Sequence, residues 1–195
     1  MTDDHPTGRP ASGPAYPTPE DPEWDVLESV AEYETPWFTG GYDLVEQPDG
    51  SQKRYYWAEL VPAVVVVARS EDHLVMVEQY RPAIRETHLE LPAGIVEPGE
   101  SYTAAGAREL REETGYDPAG VSLLGAFWTA TGVLRHRRAI VFAEGLEPVG
   151  AELDDNEFLT VEPVPIEDAL ELVRDAPSHD ATLEGVLLAR EHGLL

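Results

Sequence analysis

The sequence predicts an α/β fold: a mixed sheet enclosed between helices, with a small antiparallel β unit in front of it. Three observations lead there. Val61 to Val67 is almost entirely Val and Ala, the composition of a strand buried on both faces. Residues 101–114 are rich in Ala, Leu, Glu and Arg, which favour helix. Between Trp24 and Leu60, aromatic and β-branched residues flank Asp49-Gly50, a dipeptide that turns hairpins.

Taken in order, residues 1–22 hold six prolines and almost no large apolar side chain, so they are expected to form a flexible tail. Residues 23–60 are expected to be the β subdomain, with Trp37-Phe38 and Tyr42 to Val45 leading to the turn and Lys53 to Leu60 returning. Its aromatics either pack a small core of their own or lie exposed as a docking or base-stacking surface. Residues 61–195 are expected to be the main domain. Strands are placed at 61–67, 74–80, 89–96, 121–130 and 139–145, and helices at 101–114, 167–174 and 181–192, the last with Leu183, Val186, Leu187 and Ala189 on its core face.

Composition excludes several functions. Without cysteine there is no disulfide, thiolate metal site or Cys nucleophile, and no two histidines have the spacing of a metal pair. No apolar run reaches membrane-spanning length and no signal core opens the chain, so a cytoplasmic location is expected. The formal charge of −25, with one lysine against twelve arginines, disfavours nucleic acid and anionic membranes as partners. It fits adaptation to high salt, where screening relieves self-repulsion.

The stretch Gly94 to Tyr116 organises the rest. On a helix, Glu109 and Glu113 share a face and Glu112 lies beside Glu109. Three carboxylates in the last turns oppose the helix dipole and call for a cation. Oxygen donors without nearby His or Cys suit Mg²⁺ or Mn²⁺. In so acidic a chain, three clustered Glu can equally be a solvated face. The spacing decides between them. The stretch satisfies Gly-x5-Glu-x7-Arg-Glu-U-x-Glu-Glu-x-Gly-U, with U apolar or aromatic, at every specified position, a match whose accidental odds are on the order of one in a million. This is the Nudix box, and from about Tyr33 onward the chain resembles the Nudix hydrolases, most of all the ADP-ribose pyrophosphatase-like ones.

The resemblance implies an α/β/α sandwich and hydrolysis of a nucleoside diphosphate linked to another group. It assigns the carbonyl of Ala93 with Glu109 and Glu113 as metal ligands, and Arg81 of Gln79-Tyr80-Arg81 as the first substrate residue, where a guanidinium grips phosphate oxygens in pairs. Glu112, Asp155 and Glu157 remain open as the carboxylate that activates water, the last two from an acidic loop outside the box. Arg54, Arg135 and Arg137 are further substrate-binding candidates. The Arg135 to Arg138 patch departs from the Pro-Gly and acidic residues usual at this loop, and it also suits an internal counterion set. Arg108 is expected to orient Glu112 at i, i+4, Ser101 or Thr103 to cap the helix start, Gly115 to close its end, and Gly94 to permit a tight turn. The implied activity is Mg²⁺-dependent cleavage of ADP-ribose to AMP and ribose 5-phosphate by a homodimer. Another nucleotide sugar or dinucleotide, or nucleotide sensing without turnover, are the alternatives.

Overall fold

The structure is a computed structural model that describes residues 24–150, 158–174 and 178–195. Eleven strands and three helices follow in order: β1 (Asp25–Glu34), β2 (Phe38–Glu46), β3 (Gln52–Leu60), β4 (Ala63–Ser70), β5 (His73–Arg81), β6 (Glu86–Glu90), β7 (Ala93–Ile95), α1 (Tyr102–Thr114), β8 (Tyr116–Trp128), β9 (Leu134–Arg135), β10 (Arg137–Pro148), β11 (Leu159–Pro165), α2 (Ile166–Leu172) and α3 (Asp180–Glu191). The described residues divide into two compact units, one of Ala63–Ala126 and Ala139–Leu195, the other of 24–62 and Phe127–Arg138. The membership of Phe127–Arg138 in the smaller unit was not expected.

The larger unit is built on a seven-stranded sheet of order β11-β5-β4-β10-β8, with β6 on β5 and β7 on β4. Period-two alternation in β4 sends Val65 and Val67 into one apolar cluster with α2 and α3, and Val64, Val66 and Ala68 into another with α1. All five are buried, as the unbroken Val/Ala run requires. The result is the expected sheet between helices. Gly106 of α1 and Gly185 of α3 bring the helices close, since a Cβ at either would come within 2.6 Å of Val141 or Leu91.

Three expected elements differ. The strand foreseen over 89–96 is two, β6 and β7, because Pro92 has no N–H to give a ladder; its carbonyl accepts from the Val66 amide instead. β11 is absent from the expected strands, its residues standing where the acidic loop runs toward the next helix, and it contains Pro163 and Pro165. It survives as the outermost strand, where proline is tolerated, paired antiparallel to β5 from Leu159↔Gln79 to Pro165↔His73. β8 begins at Tyr116, five residues before the expected start.

The smaller unit is a four-stranded sheet of order β1-β2-β3-β9. The β2–β3 hairpin turns where Asp49-Gly50 predicts, with Gly50 at φ 80°. β1 was not singled out as a strand in the sequence, and almost its whole length is exposed. Of the aromatics, Tyr42 is buried, while Tyr33, Trp37 and Tyr56 are 61%, 73% and 60% exposed, so this unit buries only part of its apolar surface. The predicted tail at residues 1–22 lies outside the described residues.

Candidate active site

The box folds as its residues dictate. Ser101, in extended backbone, accepts from the Ala104 amide at 3.2 Å and so caps α1; Thr103 does not take that role. Gly115 closes the helix in the left-handed region at φ 73°, donating its amide to the Arg111 carbonyl. Between these caps α1 turns Leu110 and Ala105 into the core and carries Glu109 and Glu113 on one inward flank, 6% and 4% exposed.

Gly94 serves this site for a reason other than the one expected. It lies within β7 and makes no positive-φ turn among the described residues. The Glu109 carboxylate instead occupies the space above its Cα: a Cβ there would stand 2.0 Å from Glu109 Cδ. Only glycine lets the carboxylate lie against the backbone. One residue earlier, the Ala93 amide donates to Glu113 Oε2 at 3.0 Å. Both carboxylates are thus fixed against β7, the strand whose Ala93 pairs with Val65 of β4.

Arg108 binds the outer carboxylates together. Nη1 donates to Glu109 Oε1 and to Glu112 Oε2, each at 2.9 Å, so the expected i, i+4 pair is present. Nε and Nη2 donate to Glu100 at 3.1 Å, and Nη2 also to the Ile95 carbonyl. Burial alone would lower its pKa, but the bonds to Glu100, Glu109 and Glu112 hold it above the ordinary arginine value. Glu112 is the most open of the three box carboxylates, with about a third of its side chain exposed.

Arg81 ends β5 with its fork engaged. Nε donates to Glu90 Oε1 at 3.0 Å and Nη2 to Glu90 Oε2 at 2.5 Å. Glu90 is completely buried. These bonds, with the nearby charges of Glu90 and Glu113, raise the Arg81 pKa. Sequence reasoning singled out Arg81 but passed over Glu90, because their pairing depends on the β5–β6 register, in which Val77 faces Glu90 and Arg81 faces Glu86.

The other candidates separate. Asp155 and Glu157 lie outside the described residues. In the smaller unit, Arg135 pairs with Asp43 and stacks over Trp57 at 4.0 Å, and Asp43 also accepts from Ser29 Oγ and Trp57 Nε1. Burial would raise the Asp43 pKa, but these donors and the Arg135 charge bring it below the ordinary value. Arg135 thus holds β9 to its own sheet. Arg54 rests on Tyr42 at 4.8 Å and Arg137 near Trp128 at 5.8 Å. Burial and the Arg138 charge push the His136 pKa down, so it adds no positive charge at neutral pH.

Among the described residues no three His, Cys, Asp or Glu side chains form a ready metal cluster. The offered set is instead two buried carboxylates, Glu109 and Glu113, beside the backbone of Ala93 and Gly94. Around them Arg108 meets Glu100, Glu109 and Glu112, and Arg81 meets Glu90, so carboxylates crowd this part of the larger unit. Hard carboxylate oxygen donors fit a divalent cation.

A NUDIX domain model matches residues 59–185. The chain belongs to the Nudix family. The ADP-ribose pyrophosphatase of Bacillus subtilis (strain 168) is 36% identical over 140 residues, covering 70% of this chain and 76% of the relative. The methanol dehydrogenase activator of Bacillus methanolicus is 33% identical over 142 residues, 71% of this chain and 77% of that one. A solved structure described as the crystal structure of ADP compounds hydrolase superposes with a TM-score of 0.77 at 25% identity, covering 89% of this Nudix chain and 97% of that one. Nudix hydrolases generally use divalent metal ions. No helix among the described residues is long and apolar enough to cross a membrane.

Proposed function

We propose that this Nudix protein hydrolyses ADP-ribose to AMP and ribose 5-phosphate with Mg²⁺, Mn²⁺ being the alternative ion. One observation carries the reading: the buried Glu109 and Glu113 carboxylates lie together against β7. The relative named ADP-ribose pyrophosphatase supports the substrate. Glu109, Glu113 and the Ala93 carbonyl would hold the cation, which when bound neutralises phosphate charge and polarises the phosphoryl group.

The chain's own residues do the rest. Arg108 keeps Glu109 and Glu112 in fixed positions relative to each other, which limits reorganisation during reaction. Water adds to one phosphorus as the bridging P–O bond breaks, and its proton must pass to a carboxylate within hydrogen-bond reach. Glu112 is the open carboxylate of the described residues that suits this task, and Asp155 and Glu157 are the candidates outside them. Arg81 binds a phosphate through the N–H groups that Glu90 does not take. Arg54 and Arg137 remain substrate candidates on the smaller unit. The exposed aromatics there belong to the same reading as the contact surface of a homodimer, and the cytoplasm as its location.

A second reading, hydrolysis of another ADP-linked compound, is favoured by the structural relative described more broadly as an ADP compounds hydrolase. Incubation with Mg²⁺ and a panel of ADP-ribose, other nucleotide sugars, dinucleotides and nucleoside triphosphates separates the two by product analysis. AMP and ribose 5-phosphate formed fastest from ADP-ribose is the expected outcome. Faster cleavage of another panel member replaces the substrate, and no cleavage of any overturns the enzyme.

A further inference from the structure

Glu90 has no part in the expected chemistry, yet it is the completely buried carboxylate closest in sequence to the box. Its surroundings are specific. Arg81 grips both its oxygens through Nε and Nη2. From the start of α3, His179 Nδ1 stands 3.6 Å from Glu90 Oε2 and 3.0 Å from Thr182 Oγ1. Thr182, itself buried, accepts from the Leu91 amide at 3.2 Å, the residue between Glu90 and Pro92. The β5–β6 hairpin and the start of α3, about 90 residues further on, therefore meet on one carboxylate.

A buried ion pair is weak evidence for stability, because desolvating both charges offsets most of their attraction. A carboxylate so placed fits orientation better. A bidentate pair fixes the plane of a guanidinium as well as its position. We propose that Glu90 is a positioning residue that sets the Arg81 guanidinium for a substrate phosphate, and that His179 and Thr182 at the start of α3 hold Glu90 in place. With the Nε edge committed to Glu90, Arg81 meets phosphate through Nη1 and the outer face of Nη2. The inference rests on the reading of Arg81 as a phosphate-binding residue.

The test compares Glu90→Gln, Arg81→Lys and the double variant, reading KM and kcat for ADP-ribose and, by calorimetry without metal, the affinity for inorganic pyrophosphate. Glu90→Gln should raise KM about ten-fold with kcat changed less than about three-fold, the pattern of lost phosphate binding. In the Arg81→Lys background the same change should add almost nothing, since Glu90 acts through Arg81. Equal losses in both backgrounds, or an unchanged KM, overturn the proposal while leaving the hydrolase reading intact. If no nucleotide is turned over, that reading falls by itself, and pyrophosphate affinity alone decides the role of Glu90. Should Glu90→Gln not fold, Thr182→Val loosens the same anchor and should raise KM about two- to four-fold, in keeping with one lost side-chain hydrogen bond. No rise there overturns the proposal.

Discussion

Two clusters of charge in this molecule are built on opposite plans. In the smaller unit Asp43 meets one guanidinium and two neutral donors, Ser29 and Trp57, so charge is balanced and the aromatic ring covers the pair. In the larger unit a single guanidinium, that of Arg108, is shared among Glu100, Glu109 and Glu112. The first arrangement is complete by itself and fastens a strand. The second brings like charges together, which costs free energy unless a positive group is shared among them. A bound cation would relieve the crowding that Arg108 only shares out.

The sharpest way to break this contrast is Glu113→Gln. Its amide oxygen can still accept from Ala93, so the fold should persist, and removing one negative charge should leave the metal-free protein at least as stable. Turnover should fall on the order of 100-fold or more, as expected for a lost metal ligand. Activity assays with circular dichroism and melting check both, and near-normal turnover would remove Glu113 from the site. Gly94→Ala probes the same cluster through its floor. The new methyl displaces the Glu109 carboxylate, with an expected loss on the order of 100-fold for a shift of about 1 Å. Overpacking should cost about 1–3 kcal/mol, read from chemical denaturation.

Asp43→Asn tests the balanced cluster and should act on stability, by about 1–2 kcal/mol given the partial exposure of Arg135. The sign with pH follows from the depressed pKa of Asp43. Its contribution is whole above the unfolded value of about 3.9 and disappears as pH falls through the lower folded value. Wild type and variant should therefore converge in acid, and a stability gap that persisted unchanged below that range would dissociate Asp43 from the effect.

What the sequence disclosed was local. Ser101, Gly115 and the Arg108–Glu112 pair lie within single turns of α1, where spacing alone fixes who meets whom. The two-faced burial of β4 was equally plain, since an unbroken run of Val and Ala has no solvent side. What stayed hidden was set by register and by contacts between distant segments. The Arg81–Glu90 grip needs the β5–β6 pairing, and the Thr182 contact joins residues 91 positions apart. Gly94 matters for a property the sequence does not display, because sequence gives a glycine's freedom but not the carboxylate lying over it. β1 is so exposed that its pattern lacks the alternation of a half-buried strand.

The two outermost strands of the seven-stranded sheet both contain proline: Pro163 and Pro165 in β11, Pro118 in β8. A ring nitrogen offers no proton to an incoming peptide, so neither border is a good template for another chain to extend. Crowded solutions of this protein should resist fibril growth along that direction, and any assembly it forms has to use another part of its surface.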